Sequence, residues 1–96
     1  MLAVLEANYK DDYNIQLVFN NGRKGLVNLK DTIFNDKRPI FSGLRDKSNF
    51  KKFKIAHNTV IWSNELDLAS EYLFFLAFRD DPDLQEKFKA WGYAKG

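Results

Sequence analysis

The chain has 96 residues and a formal net charge of only +2, enough for one domain and too little charge to single out a partner. It holds no Cys, which excludes disulfides and thiolate metal sites and leaves stability to packing. Nine Phe, four Tyr and two Trp can supply that packing, each ring burying about 150–250 Å².

Met1 to Ala7 carries no basic segment and reaches Glu6 before an apolar run can form, so no signal peptide is expected. No run nears the roughly 18 apolar residues of a membrane span, which favours a cytoplasmic protein without a membrane partner. Strand-like alternation begins at once. Ala3, Leu5, Ala7 and Tyr9 fall on one face, Lys10-Asp11-Asp12 reads as a polar turn, and Tyr13, Ile15, Leu17 and Phe19 line a second strand. At Asn20-Asn21-Gly22 the Asn-Gly pair suits the positive φ angles of a type I′ turn, and Lys24 to Leu29 makes the return strand.

Lys30 to Phe34 fits one helical turn that brings Leu29 and Ile33 together, and Asn35 to Pro39 reads as loop. Ser42 is placed to cap a short helix through Arg45, with Phe50 and Phe53 anchoring the lysines that follow. Lys52 to Ala56, a two-residue turn at His57-Asn58, and Thr59 to Trp62 form a second hairpin. Past Trp62 the period lengthens to that of a helix. Ser70 is the expected N-cap of a run, Glu71 to Phe78, that is apolar nearly all round and so buried on more than one side. Asp81-Pro82 opens a last helix in which Leu84, Phe88 and Trp91 share a face, and Gly92 ends it. The expected fold is α+β: an antiparallel sheet of two hairpin or meander units with C-terminal helices packed on one face, in a single domain over residues 1–96.

The residues offer no catalytic set. His57 is the one His and reads as a polar turn residue, since a metal site needs several ligands at fitting spacing. Ser42, Ser48, Ser63 and Ser70 sit at turns or caps without a nucleophile frame, and no phosphate-cradling Gly-rich loop occurs. Asp80, Asp81 and Asp83 are accounted for by the helix dipole, with no calcium-loop order around them. No enzyme, cofactor or metal is expected.

Three binding surfaces remain. Arg45, Lys47, Lys51, Lys52 and Lys54 interleave with Phe50 and Phe53, a pattern that would suit single-stranded nucleic acid, although the core-like spacing of those rings and the small net charge favour a solvated face. Trp62, Asn64, Glu65 and Asp67 make either a structural bend or the rim of a small-ligand pocket. Leu84, Phe88 and Trp91 form a stripe for packing on the domain or on a second copy, as in a dimer. The charge is also bipolar: seven basic residues from Lys37 to Lys54 against Asp46, and seven acidic residues from Glu65 to Glu86 against Arg79. Such runs steer association, which favours a non-catalytic interaction module for a protein partner or its own copy.

Ile15 to Leu29, the stretch Ile40-Phe41-Ser42-Gly43-Leu44-Arg45-Asp46 with Phe50 beyond it, and Trp62-Ser63-Asn64-Glu65-Leu66-Asp67-Leu68-Ala69-Ser70 together resemble the bacterial family known as domain of unknown function 2442. The resemblance covers about residues 5–75, with Glu65 where the family has Gly and Ser70 where it has Pro; residues 76–96 are a helical extension outside it. It implies an antiparallel α+β fold, no established activity, and relatives that lie beside genes of toxin–antitoxin type. Some relatives carry a following helix-turn-helix domain, for which the extension here is too short.

Overall fold

The ladder of the N-terminal meander sets the frame in the computed structural model, which describes residues 1–63 and 66–94. Strands β1 (Val4–Asp11), β2 (Asn14–Phe19) and β3 (Lys24–Asn28) pair antiparallel in that order. Ile15, Leu17 and Phe19 point into the core, while Asn14, Gln16 and Val18 between them stay partly open. That is the period of 2 read from the sequence.

β1 departs from its expected face. The register steps from Val4↔Phe19 to Glu6↔Val18, so two residues of β1 answer one of β2. This β-bulge turns Leu5 out to solvent and puts Val4 in the core instead. Beyond it Ala7 and Tyr9 lie opposite Leu17 and Ile15.

The turn types are also redistributed. Phe19 N–H donates to Arg23 O at 2.9 Å and Gly22 N–H to Phe19 O at 3.0 Å, enclosing a three-residue loop. Gly22 takes φ 85° there, whereas Asn20 and Asn21 stay at negative φ, so the expected type I′ turn is absent. A type I turn closed by a left-handed Gly takes its place. Two successive left-handed residues occur instead at His57 (φ 54°) and Asn58 (φ 68°), between β4 (Lys54–Ala56) and β5 (Thr59–Ile61). A two-residue β6 (Asp67–Leu68) completes a second sheet in the order β4-β5-β6. Val4 N–H donates to Asn58 O at 2.9 Å and ties the two sheets together.

Between the sheets run α1 (Lys30–Asn35), α2 (Pro39–Ser42), a 3-10 turn (Gly43–Arg45) and α3 (Lys47–Phe50), burying Ile33, Phe41, Leu44 and Phe50. Ser42 stands at the N-cap position of the 3-10 turn but its side chain makes no capping bond; it closes α2, its hydroxyl donating to Pro39 O at 2.7 Å. The cap of α3 is Asp46, which accepts from Ser48 N–H at 2.9 Å.

Helix α4 (Ser70–Phe78) lies on the inner face of β3. Ser70 is its first residue rather than its N-cap, and its hydroxyl donates to Leu2 O at 2.9 Å. The first helical position is also where Pro is tolerated, which explains how Ser and Pro can exchange there. After a 3-10 turn opened by Asp81, α5 (Gln85–Trp91) ends at left-handed Gly92, with Tyr93 N–H returning to Phe88 O at 2.9 Å. Phe19 meets Phe74 of α4 at 5.1 Å and Phe74 meets Phe88 of α5 at 6.2 Å. The aromatic rings thus carry the core from sheet to last helix.

The seat of α4 is Gly25. A Cβ at that position would stand 2.7 Å from the Phe78 ring and 3.1 Å from the Ala77 Cβ. The ring can swing aside, but the Ala77 methyl is fixed to the helix. Gly25→Ala is therefore expected to lower unfolding free energy by about 1–3 kcal/mol, as overpacking does. Gly43→Ala, where nothing lies within 4 Å, is the control in the same denaturant titration. An unchanged midpoint for Gly25→Ala would show that the helix does not rest there.

Candidate functional site

Trp62 leaves β5 and turns inward. Its indole N–H donates to Phe50 O at 2.9 Å, and its ring packs 5.9 Å from Phe50 and 6.3 Å from Phe53. At 3% exposure it still walls a shallow cavity of about 250 Å³, with Gly43, Leu44, Asn49, Lys52 and Ser63. Trp62 N–H donates to Leu66 O at 2.9 Å and closes the corner. Asp67 is exposed on β6 opposite Ile61 and does not line this cavity. Asn64 and Glu65 lie outside the described residues.

All five predicted cations are exposed, but they keep different company. The Arg45 guanidinium lies 5.6 Å over the Phe34 ring, the Lys47 ammonium 5.7 Å over Tyr13, and the Lys51 ammonium 5.1 Å over Tyr9. Those rings form one row: Tyr13 contacts Phe34 and Phe50, each at 5.3 Å, and Tyr9 contacts Phe50 at 6.2 Å. The Tyr13 hydroxyl donates to Arg45 O and fixes the segment to the β1–β2 turn. Lys47 also pairs with the Asp12 carboxylate at 3.1 Å, and that hydrogen bond raises its pKa. Hydrogen bonds from Ser48 hold the Asp46 carboxyl below its usual range. Lys52 belongs to the Trp62 cavity, and Lys54 stands on β4.

Phe50 is 0% exposed and cannot stack on a base, as its core-like spacing in the sequence favours, while Phe53 is half-buried. Within the row Phe34, at 42%, is the most open ring. Sequence reasoning overlooked it, along with the roles of Tyr9 and Tyr13, although those two flank the acidic Asp11-Asp12 turn.

The C-terminal stripe faces inward. Leu84 and Phe88 are 7% and 0% exposed, and half-buried Trp91 rests 6.0 Å from Phe74. Leu84 and Phe88 are spent on the chain's own core and offer no surface to a second copy. Two acidic side chains after α4 have partners: Asp81 accepts from Asp83 N–H at 2.9 Å and pairs with Arg23 at 3.1 Å. Glu86 pairs with Lys89 at 3.3 Å. Among the described residues no three His, Asp or Glu side chains converge on a point fit for a metal ion.

A larger groove, of about 570 Å³, was invisible in the sequence. It runs beside β3, the edge strand of the first sheet, with Leu26 and Asn28 on one wall and Tyr72, Leu76 and Arg79 of α4 on the other. The Thr32 and Tyr72 hydroxyls, 2.8 Å apart, bridge α1 to α4 at its floor. Tyr72, Leu76 and Arg79 recur at i, i+4 and i+7, which is one stripe of a helix.

The model of the family described as protein of unknown function (DUF2442) matches residues 4–79, and it is the family that the quoted motifs resemble. No curated protein sequence matches the chain. Among solved structures the fold is similar to the crystal structure of a candidate DNA-binding protein from Nitrosomonas europaea, with a TM-score of 0.73 at 13% identity. The likeness takes in 96% of this chain but only 61% of that one, and at this identity it concerns the fold alone.

The indole hydrogen bond makes Trp62 a structural strut as well as a cavity wall. Trp62→Phe strips the buried Phe50 carbonyl of its donor and should cost about 1–3 kcal/mol of stability. Asp67→Asn, on the exposed strand, should stay within about 0.5 kcal/mol. Chemical denaturation of the two variants beside the parent checks both.

Proposed function

The chain belongs to the DUF2442 family of proteins of unknown function, and on that footing we propose that it is a non-catalytic binding module for another protein, held along the groove between β3 and α4. The observation that carries this reading is an open strand edge beside a helix, a surface that binds through main-chain groups and needs no reactive side chain. The non-catalytic part is supported by where the reactive residue types are spent. The Ser42 and Ser70 hydroxyls donate to main-chain carbonyls, Ser48 donates to Asp46, and His57 shapes a turn. With Leu84 and Phe88 in the core, a different protein is favoured over a second copy. The product of a neighbouring gene, of the toxin–antitoxin kind that the family resemblance implies, is the first partner to try.

Affinity capture with the full chain tests it. A specific partner should be lost with Leu76→Glu, in the groove wall, and kept with the pair Arg45→Glu and Lys51→Glu. A chain that captures nothing specific, or a capture insensitive to Leu76→Glu, overturns the proposal.

A second reading has an observation of its own. Arg45, Lys47 and Lys51 project from one aromatic row, and the similar structure is described as a candidate DNA-binding protein, though that description belongs to a longer chain. Phosphate neutralisation at this end predicts binding to single-stranded oligonucleotides that weakens steeply with salt. The Arg45→Glu and Lys51→Glu pair should weaken it about tenfold or more at low salt, read by fluorescence anisotropy. No binding at low salt removes this reading.

A further inference from the structure

The ladder geometry of β3 says which of its main-chain groups are free to take a partner. Leu29 N–H donates to Tyr13 O at 3.0 Å and Phe19 N–H to Arg23 O at 2.9 Å, with Ile15↔Val27 and Leu17↔Gly25 in register between them. Bonded and non-bonded pairs alternate along an antiparallel ladder. Arg23, Gly25, Val27 and Leu29 therefore spend their main-chain groups on β2, while Lys24, Leu26 and Asn28 aim theirs off the sheet. Among the described residues β3 pairs with β2 alone, and Leu26 and Asn28 are the residues of β3 that line the groove.

The opposite wall is built to receive a strand rather than to seal the edge. Helix α4 rests on the inner face at Gly25, so its Tyr72, Leu76 and Arg79 stripe overhangs the edge instead of covering it. Leu76 and the 48% exposed Leu26 supply apolar contact on either side. Charge then chooses among occupants. Lys24 stands exposed on the edge, and Lys30 and Arg79 line the groove against the single carboxylate of Asp31. The Arg79 guanidinium lies 5.2 Å over the Phe75 ring, which holds it in place.

We propose that an acidic, extended segment of a partner protein adds to the first sheet as a fourth strand, pairing with Lys24, Leu26 and Asn28 between β3 and α4. This rests on the protein-binding reading above and names its mode and the chemistry of the bound segment. At about 3.3 Å per residue, a segment matching the five residues of β3 fills the groove. A second copy of the chain is a poorer occupant, because edge-to-edge pairing of β3 with itself crowds the Lys24, Lys30 and Arg79 cations of both copies into one groove. Acidic side chains on the face of the added strand turned to α4 meet Arg79, with Lys30 at the end of the groove, and apolar ones on its other face lie beside Leu26.

The probe is a fluorescent peptide alternating Glu and Val, titrated into the full chain beside a Lys-Val counterpart and a Glu-Val peptide N-methylated at every residue, so that neither of its edges can donate. Strand addition predicts that the acidic peptide binds and slows amide exchange at Leu26. Both control peptides should bind about tenfold weaker or worse, since one inverts the charge and the other blocks main-chain bonds. Arg79→Glu should weaken the acidic peptide similarly. Leu26→Pro should abolish binding, because Pro removes a donor that the sheet itself does not use; if that variant fails to fold, the N-methylated peptide still decides. Binding that survives N-methylation, shifts confined to Arg45 and Lys51, or Leu26 amides already protected in a peptide-free dimer would each overturn the proposal. A partner captured through Leu76 together with no peptide protection at Leu26 would sink strand addition while leaving protein binding intact.

Discussion

Helix α4 can approach β3 as closely as it does because position 25 has no side chain. With a Cβ there 2.7 Å from Phe78 and 3.1 Å from Ala77, the helix would have to lift. Most of what distinguishes the C-terminal half follows from that seat. It drops Phe74 onto Phe19 at 5.1 Å, and it presents Phe75 and Phe74 to Phe88 at 5.2 and 6.2 Å, so α5 closes over α4. Edge-on ring pairs of this kind contribute about 0.5–1.5 kcal/mol each beyond the area they bury. The same seat leaves the outer stripe of α4 hanging past the sheet, and the groove is the space beneath it.

The aromatic residues do a second job at the other end of the molecule. Tyr9, Tyr13 and Phe34 hold Lys51, Lys47 and Arg45 over their faces. Exposed cation–ring contacts are worth only about 0.5–1 kcal/mol. Their larger effect is on freedom: long cationic chains already laid on rings have less motion to lose when an anion arrives. Only part of the bipolar charge read from the sequence is met by ion pairs among the described residues. Lys47 answers Asp12, Arg38 answers Asp36, Asp81 answers Arg23, and Glu86 answers Lys89.

How much was legible in the sequence depends on how local the cause is. The inward face of β2 follows from alternation alone, and the end of α5 at Gly92 follows from one residue's backbone freedom. The bulge in β1 does not, because nothing between Ala3 and Tyr9 marks an extra residue; it arises from β1 pairing with β2 while Val4 also bonds to Asn58. The two turns changed character for a similar reason. Asn-Gly has the freedom for a type I′ turn, but the pairing of Phe19 with Arg23 demands a three-residue loop, whereas the spacing of Ala56 and Thr59 leaves two residues and forces His57 and Asn58 to positive φ. Trp62 was recognisable as the anchor of a corner, as a bend or a pocket rim, because a large ring at a strand end must pack on something. The groove was not recognisable, since no segment contains it: β3, α1 and α4 make it only once they meet.

The two edges of the meander show why β3 is the one left for a partner. β1, the other edge, is bulged at Leu5 and bonded through Val4 to the tip of the second hairpin, and both features spoil it as a template. β3 is regular over its five residues, and what guards it is charge rather than shape. Charge is a selective guard. Lys24, Lys30 and Arg79 together repel another copy of the same edge and attract a strand of opposite sign. An edge blocked by a bulge is closed to every strand; an edge protected by cations is closed to its own kind and open to an acidic one.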